Sequence, residues 1–163
     1  MSLAALGLGA PHSWLATFGA ALLWLAVMLA YSPVADRLAS RLVAAPPSLE
    51  AFRVLRRSWV SLAVGILVAW SLGGFLEEFV LRGIVVRGLC GLLGPLLGRT
   101  AALVVGVVAA ALLAGLVHLY QGRRGALIVA QLSVLFGVLY VASGLNLWAV
   151  ILCHGMYDMI AFI

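Results

Sequence analysis

Glu77, Glu78 and Arg82 interrupt a chain that is 66% hydrophobic and only 9% charged. They follow an apolar run long enough to cross a bilayer. Hydrocarbon does not solvate ionisable groups, so charges at such a position are functional by default, with a partner expected close by. Glu78 and Arg82 are four apart, so on a helix they lie one above the other and can pair. Glu77 points about 100° away from Glu78, given roughly 3.6 residues per turn. One carboxylate can then be held by Arg82 while the other faces a cavity. A charge cluster at a membrane boundary is the plainer alternative. Further along, His154 and Asp158 share one face of the last apolar segment, and His118 closes an earlier one. Such a set can bind a divalent metal such as zinc through His118, His154, Asp158 and Glu77, with an open position for water. It can equally activate water directly, with a carboxylate as base and histidines orienting or stabilising charge. Both routes end in hydrolysis. His118 taken singly reads more simply as a helix–helix hydrogen-bond partner.

The elements that must position these groups are membrane helices. A mean hydropathy of +1.22 belongs to an integral membrane protein, and the fold class expected is all-α, a polytopic bundle of about five to six membrane helices. Trp14 to Tyr31 is an uncharged run of 18 residues flanked by aromatics, a first span that Ser32-Pro33 should stop. Asp36 to Arg57 reads as a polar loop carrying Arg37, Arg41, Arg53, Arg56 and Arg57. Its Leu38, Leu42, Phe52 and Leu55 point to amphipathic helix on the membrane surface. Trp59 to Leu76 is a second span, with Gly73-Gly74 as a break or kink. Phe79 to Gly98 is ambiguous between a span and a surface segment. Thr100–His118, Gly125–Ala142 and Leu147–Ile163 are spans.

The ten basic residues are all arginine, and the net charge is +5. The excess lies in short loops, as membrane topology requires, which argues against nucleic-acid binding. Arg87 and Arg99 read as topological or headgroup-contacting charges. Cys90 and Cys153 lie in apolar segments, so a disulfide framework is not expected. If Phe79–Gly98 only skims the surface, Glu77 and His118 end a membrane thickness apart. A shared site therefore requires that segment to be intramembrane. The Arg123-Arg124 turn would then face the side opposite the 32–57 loop.

The residues resemble a known family. Glu77-Glu78-Phe79-Val80-Leu81-Arg82-Gly83 is similar to the EExxxRG motif of the CPBP intramembrane proteases, the group of the type II CAAX prenyl endopeptidases and the bacteriocin-processing and immunity (Abi) proteins. The second family motif, FxxxH, has its histidine in His118 but Ala114 in place of phenylalanine. The third, HxxxN or HxxxD, resembles His154-Gly155-Met156-Tyr157-Asp158. The three stand in family order within a core of about residues 59–163, after an N-terminal part of 1–58 with a transmembrane helix and a basic loop. The resemblance implies cleavage of peptide bonds inside or at the face of the membrane. In the prenyl-protein branch, it implies removal of the three residues that follow a lipidated cysteine. It implies that Glu77 is the base that activates water, helped by His118, and that Glu78 and Arg82 fix its geometry. His154 and Asp158 would stabilise the oxyanion or join a metal site. Aspartate at 158 leans toward a metal or a protonated carboxyl, because an ionised one repels an oxyanion. Ala114 leaves space beside His118.

The expected function is thus an intramembrane endopeptidase acting on a membrane-associated peptide or lipidated protein, with membrane lipid as its surroundings and oligomerisation open. The multi-pass chain is expected in a bacterial or archaeal cell membrane. A non-catalytic immunity or scaffold protein that binds a peptide in the same cavity is the rival. A proton- or ion-coupled transporter is a third reading, disfavoured because no inverted halves are visible.

Overall fold

A computed structural model describes residues 3–54 and 57–162. Among them all regular structure is helical: α1 (Trp14–Leu42), α2 (Glu50–Arg53), α3 (Trp59–Val68), α4 (Arg87–Leu97), α5 (Arg99–Val117), α6 (Gly122–Ala142) and α7 (Trp148–Phe162). Four helices are long and apolar enough to cross a membrane, Trp14–Leu42, Trp59–Leu97, Arg99–Val117 and Leu119–Ala142. The 15-residue α7 runs beside them. The chain is an all-α polytopic bundle.

Two expected boundaries do not exist. Pro33 lies inside α1, which continues to Leu42. A proline removes one helical hydrogen bond, and here the Ser32 hydroxyl donates to the Met28 carbonyl one turn back, at 2.8 Å. Asp36, Arg37 and Arg41 are therefore helical, as are Leu38 and Leu42. Of the surface helix expected in the following loop, the α-helical part among the described residues is the four-residue α2. Leu55, Arg56 and Ile163 lie outside the described residues.

The second correction concerns the segment after Gly73-Gly74. Nothing breaks there. The chain widens into π-helix over Ala69–Glu77 and again over Phe79–Val86, joining α3 to α4. The result is one helix of 39 residues, Trp59–Leu97, about 58 Å long at a rise of about 1.5 Å per residue. That is roughly twice a bilayer's hydrocarbon thickness. Phe79–Gly98 is thus not a separate helix, and Glu77 and Glu78 sit mid-helix rather than at a helix end. Gly98, at φ +79°, turns the chain into α5; glycine takes a positive φ without the Cβ penalty.

The first half of the long helix packs on α7 and the second half on α5. Helices α5 and α6 approach closely through small residues: a Cβ on Gly115 would stand 2.9 Å from the Ala126 carbonyl oxygen. Helix α1 runs antiparallel to α6, with the Trp24 indole donating to Leu135 O at 3.0 Å and Tyr31 to Gln131 at 3.2 Å. Where α1 ends, Arg124 donates two hydrogen bonds to the Asp36 carboxylate, at 2.8 and 2.6 Å. Ser48 N donates to Gln121 O at 2.8 Å. The 43–58 linker and the Arg123-Arg124 turn consequently share one end of the bundle, not opposite ends. Counting 59–76 and 79–98 as two crossings reverses this parity; one continuous helix restores it. At the far end, Leu147 N donates to Gly7 O at 2.8 Å, and the rings of Trp14 and Trp148 are 5.5 Å apart.

Candidate active site

Two helix pairs build the site. On the long helix, Glu78 and Arg82 are fully buried, with exposures of 0% and 1%. Arg82 Nη1 donates to Glu78 Oε1 at 3.0 Å, and Nη2 donates to Ser133 O at 2.7 Å and Ser133 Oγ at 2.6 Å. Its guanidinium also lies 5.7 Å from the centre of the Phe136 ring. The i,i+4 pair expected from the sequence is therefore formed and anchored to α6. Glu77, one residue earlier, turns away from this network and lines the cavity.

On α7, His154 Nδ1 lies 2.6 Å from Glu78 Oε1. A carboxylate only accepts, so Nδ1–H is the donor. Nε2 of the same ring stands 3.5 Å from Asp158 Oδ2. Phe136 stacks on the imidazole at 4.4 Å. His154 is thus held on three sides, by Glu78, Asp158 and Phe136. Helix α7 can come this near because the crossing is made of glycines. A Cβ on Gly74 would stand 3.1 Å from Gly155 Cα, and a Cβ on Gly73 would overlap the Asp158 carboxylate. The π-helical widening falls on the same residues, where such irregularities are frequent at functional sites.

His118 follows α5 directly. Its Nδ1 lies 2.8 Å from the Ala114 carbonyl oxygen, which can only accept, so that nitrogen carries the proton. Nε2 is left facing Glu77 Oε1 at 4.0 Å. The structure therefore brings Glu77, Glu78, Arg82, His118, His154 and Asp158 to one place. Ala114 is buried at 2% exposure and lines the cavity, so the small residue does open space next to the histidine.

The cavity encloses about 760 Å³. Ile128, Val129 and Leu132 form an apolar wall, and Pro47, Leu49 and Phe52 of the linker lie across one end. Three contributors escape sequence reasoning. Ser133 completes the Arg82 shell; an uncharged polar residue in the apolar 125–142 run was the available signal. Ser32 and Asp36 enter the cavity wall from α1, and Ser32 Oγ lies 2.7 Å from the Tyr157 hydroxyl. Nothing local to α1 announces that.

The donor types suit a divalent ion. Yet among the described residues no three His, Cys, Asp or Glu side chains converge as a metal-ligating group. Both nitrogens of His154 face carboxylates, and one nitrogen of His118 faces a carbonyl. As arranged, these residues do not make a three-ligand centre.

Apolar helices surround a buried carboxylate–histidine cluster that lines one cavity. The family model described as Type II CAAX prenyl endopeptidase Rce1-like matches residues 59–160, and the chain belongs to that family. At family level it is a CAAX-type protease of the membrane. No curated protein and no solved structure matches it.

Proposed function

We propose that the chain is an intramembrane endopeptidase in which Glu77 is the general base. The observation that carries this is the division of labour between adjacent carboxylates. Glu78 is buried and bonded to Arg82 and His154, whereas Glu77 faces a cavity opposite the Nε2 of His118. A substrate water between Glu77 and His118 loses a proton to the Glu77 carboxylate, and the hydroxide attacks the scissile carbonyl carbon. Glu77 then passes that proton to the leaving amine as the C–N bond breaks. His118 orients the water. Asp158 faces His154 and holds it, which relieves the conflict of a free carboxylate beside an oxyanion. Glu78 and Arg82 form the rigid floor that fixes the neighbouring Glu77 backbone.

The substrate class is a membrane-associated peptide or lipidated protein, and the apolar wall of Ile128, Val129 and Leu132 suits a lipid chain or aliphatic side chains. The cavity lies toward the end of the bundle that holds Arg37, Arg41, Arg53, Arg57, Arg123 and Arg124. The opposite end has Arg99, and Arg87 there is bonded inward. Short arginine-rich connections stay in the cytoplasm, so the cavity opens to the cytoplasmic face. The lysine-free, Ala-, Gly-, Leu- and Arg-rich composition supports a bacterial or archaeal cell membrane.

The test is cleavage of a prenylated peptide by the purified chain in lipid. Glu77→Gln should lower the rate by about 10²–10⁴-fold with the fold intact by circular dichroism. A variant that still cleaves at the parent rate removes Glu77 as base. A parallel arm with a chelator separates the two routes to activated water. Indifference to it supports direct carboxylate–histidine activation, and loss restored by zinc supports a metal held by His118, His154 and the carboxylates.

A further inference from the structure

Two arginines line the cavity, Arg82 and Arg53. They are in opposite states. Arg82 is committed to Glu78 and Ser133 through three hydrogen bonds of 2.6 to 3.0 Å. Arg53 is on the exposed α2. Its one ion pair among the described residues is with Glu50, at 3.9 Å, with the two side chains 78% and 79% exposed. A pair that long and that solvated holds neither partner firmly. The other charged groups on the wall are Asp36, which Arg124 already holds, and the cluster of Glu77, Asp158, His118 and His154.

The charge of the cavity is therefore graded. Its catalytic floor is rich in carboxylates and repels an anion. Its linker end, closed by Pro47, Leu49 and Phe52, presents the Arg53 guanidinium, held only by its long, solvated pair with Glu50. A substrate cut three residues from its C terminus has a free carboxylate about 10 Å beyond the scissile bond, at roughly 3.3 Å per extended residue. That anion cannot rest beside Glu77 and Asp158. It must lie toward a cation, and a guanidinium is the side chain best matched to a carboxylate in shape and hydrogen bonds.

We propose that Arg53 binds the C-terminal carboxylate of the substrate. It thereby sets the direction in which the peptide lies and restricts cleavage to bonds near a free C terminus. This rests on the reading of the cavity as a protease site. It assigns a specificity-determining residue to the N-terminal part of the chain, outside residues 59–160 that the family model matches.

The experiment measures binding rather than turnover. The full chain with Glu77→Gln, in lipid nanodiscs, is titrated with an S-farnesylcysteinyl tetrapeptide ending in a free acid and with its carboxamide. The acid should bind about tenfold more tightly, the scale of one charge-assisted contact at a partly solvated position. Arg53→Ala in the same background should bring the two ligands within about twofold of each other. Arg53→Lys should keep most of the preference, and added salt should shrink it. Equal binding of acid and amide, a preference that survives Arg53→Ala, or binding of neither ligand overturns the assignment. Failure of the protease reading shows separately, as absence of cleavage of the same free-acid peptide by the parent chain in lipid.

Discussion

Arg82 and Arg87 sit on the same long helix, in the same apolar setting, and are held in opposite ways. Arg82 meets a carboxylate, the Glu78 side chain, inside the catalytic floor. Arg87 meets neutral oxygens. Its Nε donates to the Tyr140 hydroxyl at 3.2 Å, its Nη1 to Ala5 O at 2.6 Å and its Nη2 to Leu145 O at 2.7 Å. It staples the N-terminal segment and the α6–α7 turn to the far end of the bundle. It is not the free topological or headgroup-contacting charge expected of it. The difference shows that an arginine within an apolar helix is not by itself a site. Its partner decides: a carboxylate makes a charged floor for chemistry, whereas carbonyls make a clasp between loops.

Substitutions can break that contrast. Arg82→Met should be the more damaging of the two. It leaves the Glu78 charge buried with only His154 against it, at a cost of about 3–5 kcal/mol, and cleavage should vanish with it. Thermal unfolding in detergent checks the first part; a companion Glu78→Gln/Arg82→Met chain should regain stability but not activity. Equal stability of Arg82→Met and the parent would mean that the pair carries no structural load. Gly73→Ala probes the site without touching a charge. Its Cβ overlaps Asp158, so His154 loses its lower support. A misplacement of about 1 Å should lower the cleavage rate by about 10²-fold while the unfolding temperature shifts little. Arg87→Met should cost only about 1–3 kcal/mol, from the hydrogen bonds lost to the Tyr140 hydroxyl and the Leu145 carbonyl, and should leave the cleavage rate of the folded protein unchanged. A large loss of turnover there would erase the distinction between clasp and floor.

Much of the site was legible because it is local. Glu78 with Arg82 and His154 with Asp158 are i,i+4 pairs, and helix geometry brings such pairs together whatever the helix packs against. The spans were legible for the same reason, from runs of apolar residues. The errors lie where a local signal competes with packing. Ser32-Pro33 reads as a stop, yet one lost hydrogen bond does not end a helix that neighbours support along its length. Gly73-Gly74 reads as a break or kink; the helix widens into π-helix there but runs on, and the glycines serve the close crossing with α7, where a Cβ on Gly73 would strike Asp158 and one on Gly74 would crowd Gly155. Reading a break there split one helix into two and inverted the side assigned to Arg123 and Arg124.

By itself the sequence determined the all-α membrane architecture, the family motifs and the two helical charge pairs, since each is set by residue type at a spacing of a few positions. Only the tertiary structure decided that the two pairs meet, with His154 on Glu78 and His118 across from Glu77. Only it brought in Ser133 from α6, Ser32 and Asp36 from α1 and Arg53 from the linker. The long-range hydrogen bonds and ion pairs among these residues join positions about 40 to 125 apart. They depend on the depth, rotation and crossing of whole helices, which are fixed by the fit of small residues at the interfaces and not by any periodicity within one segment.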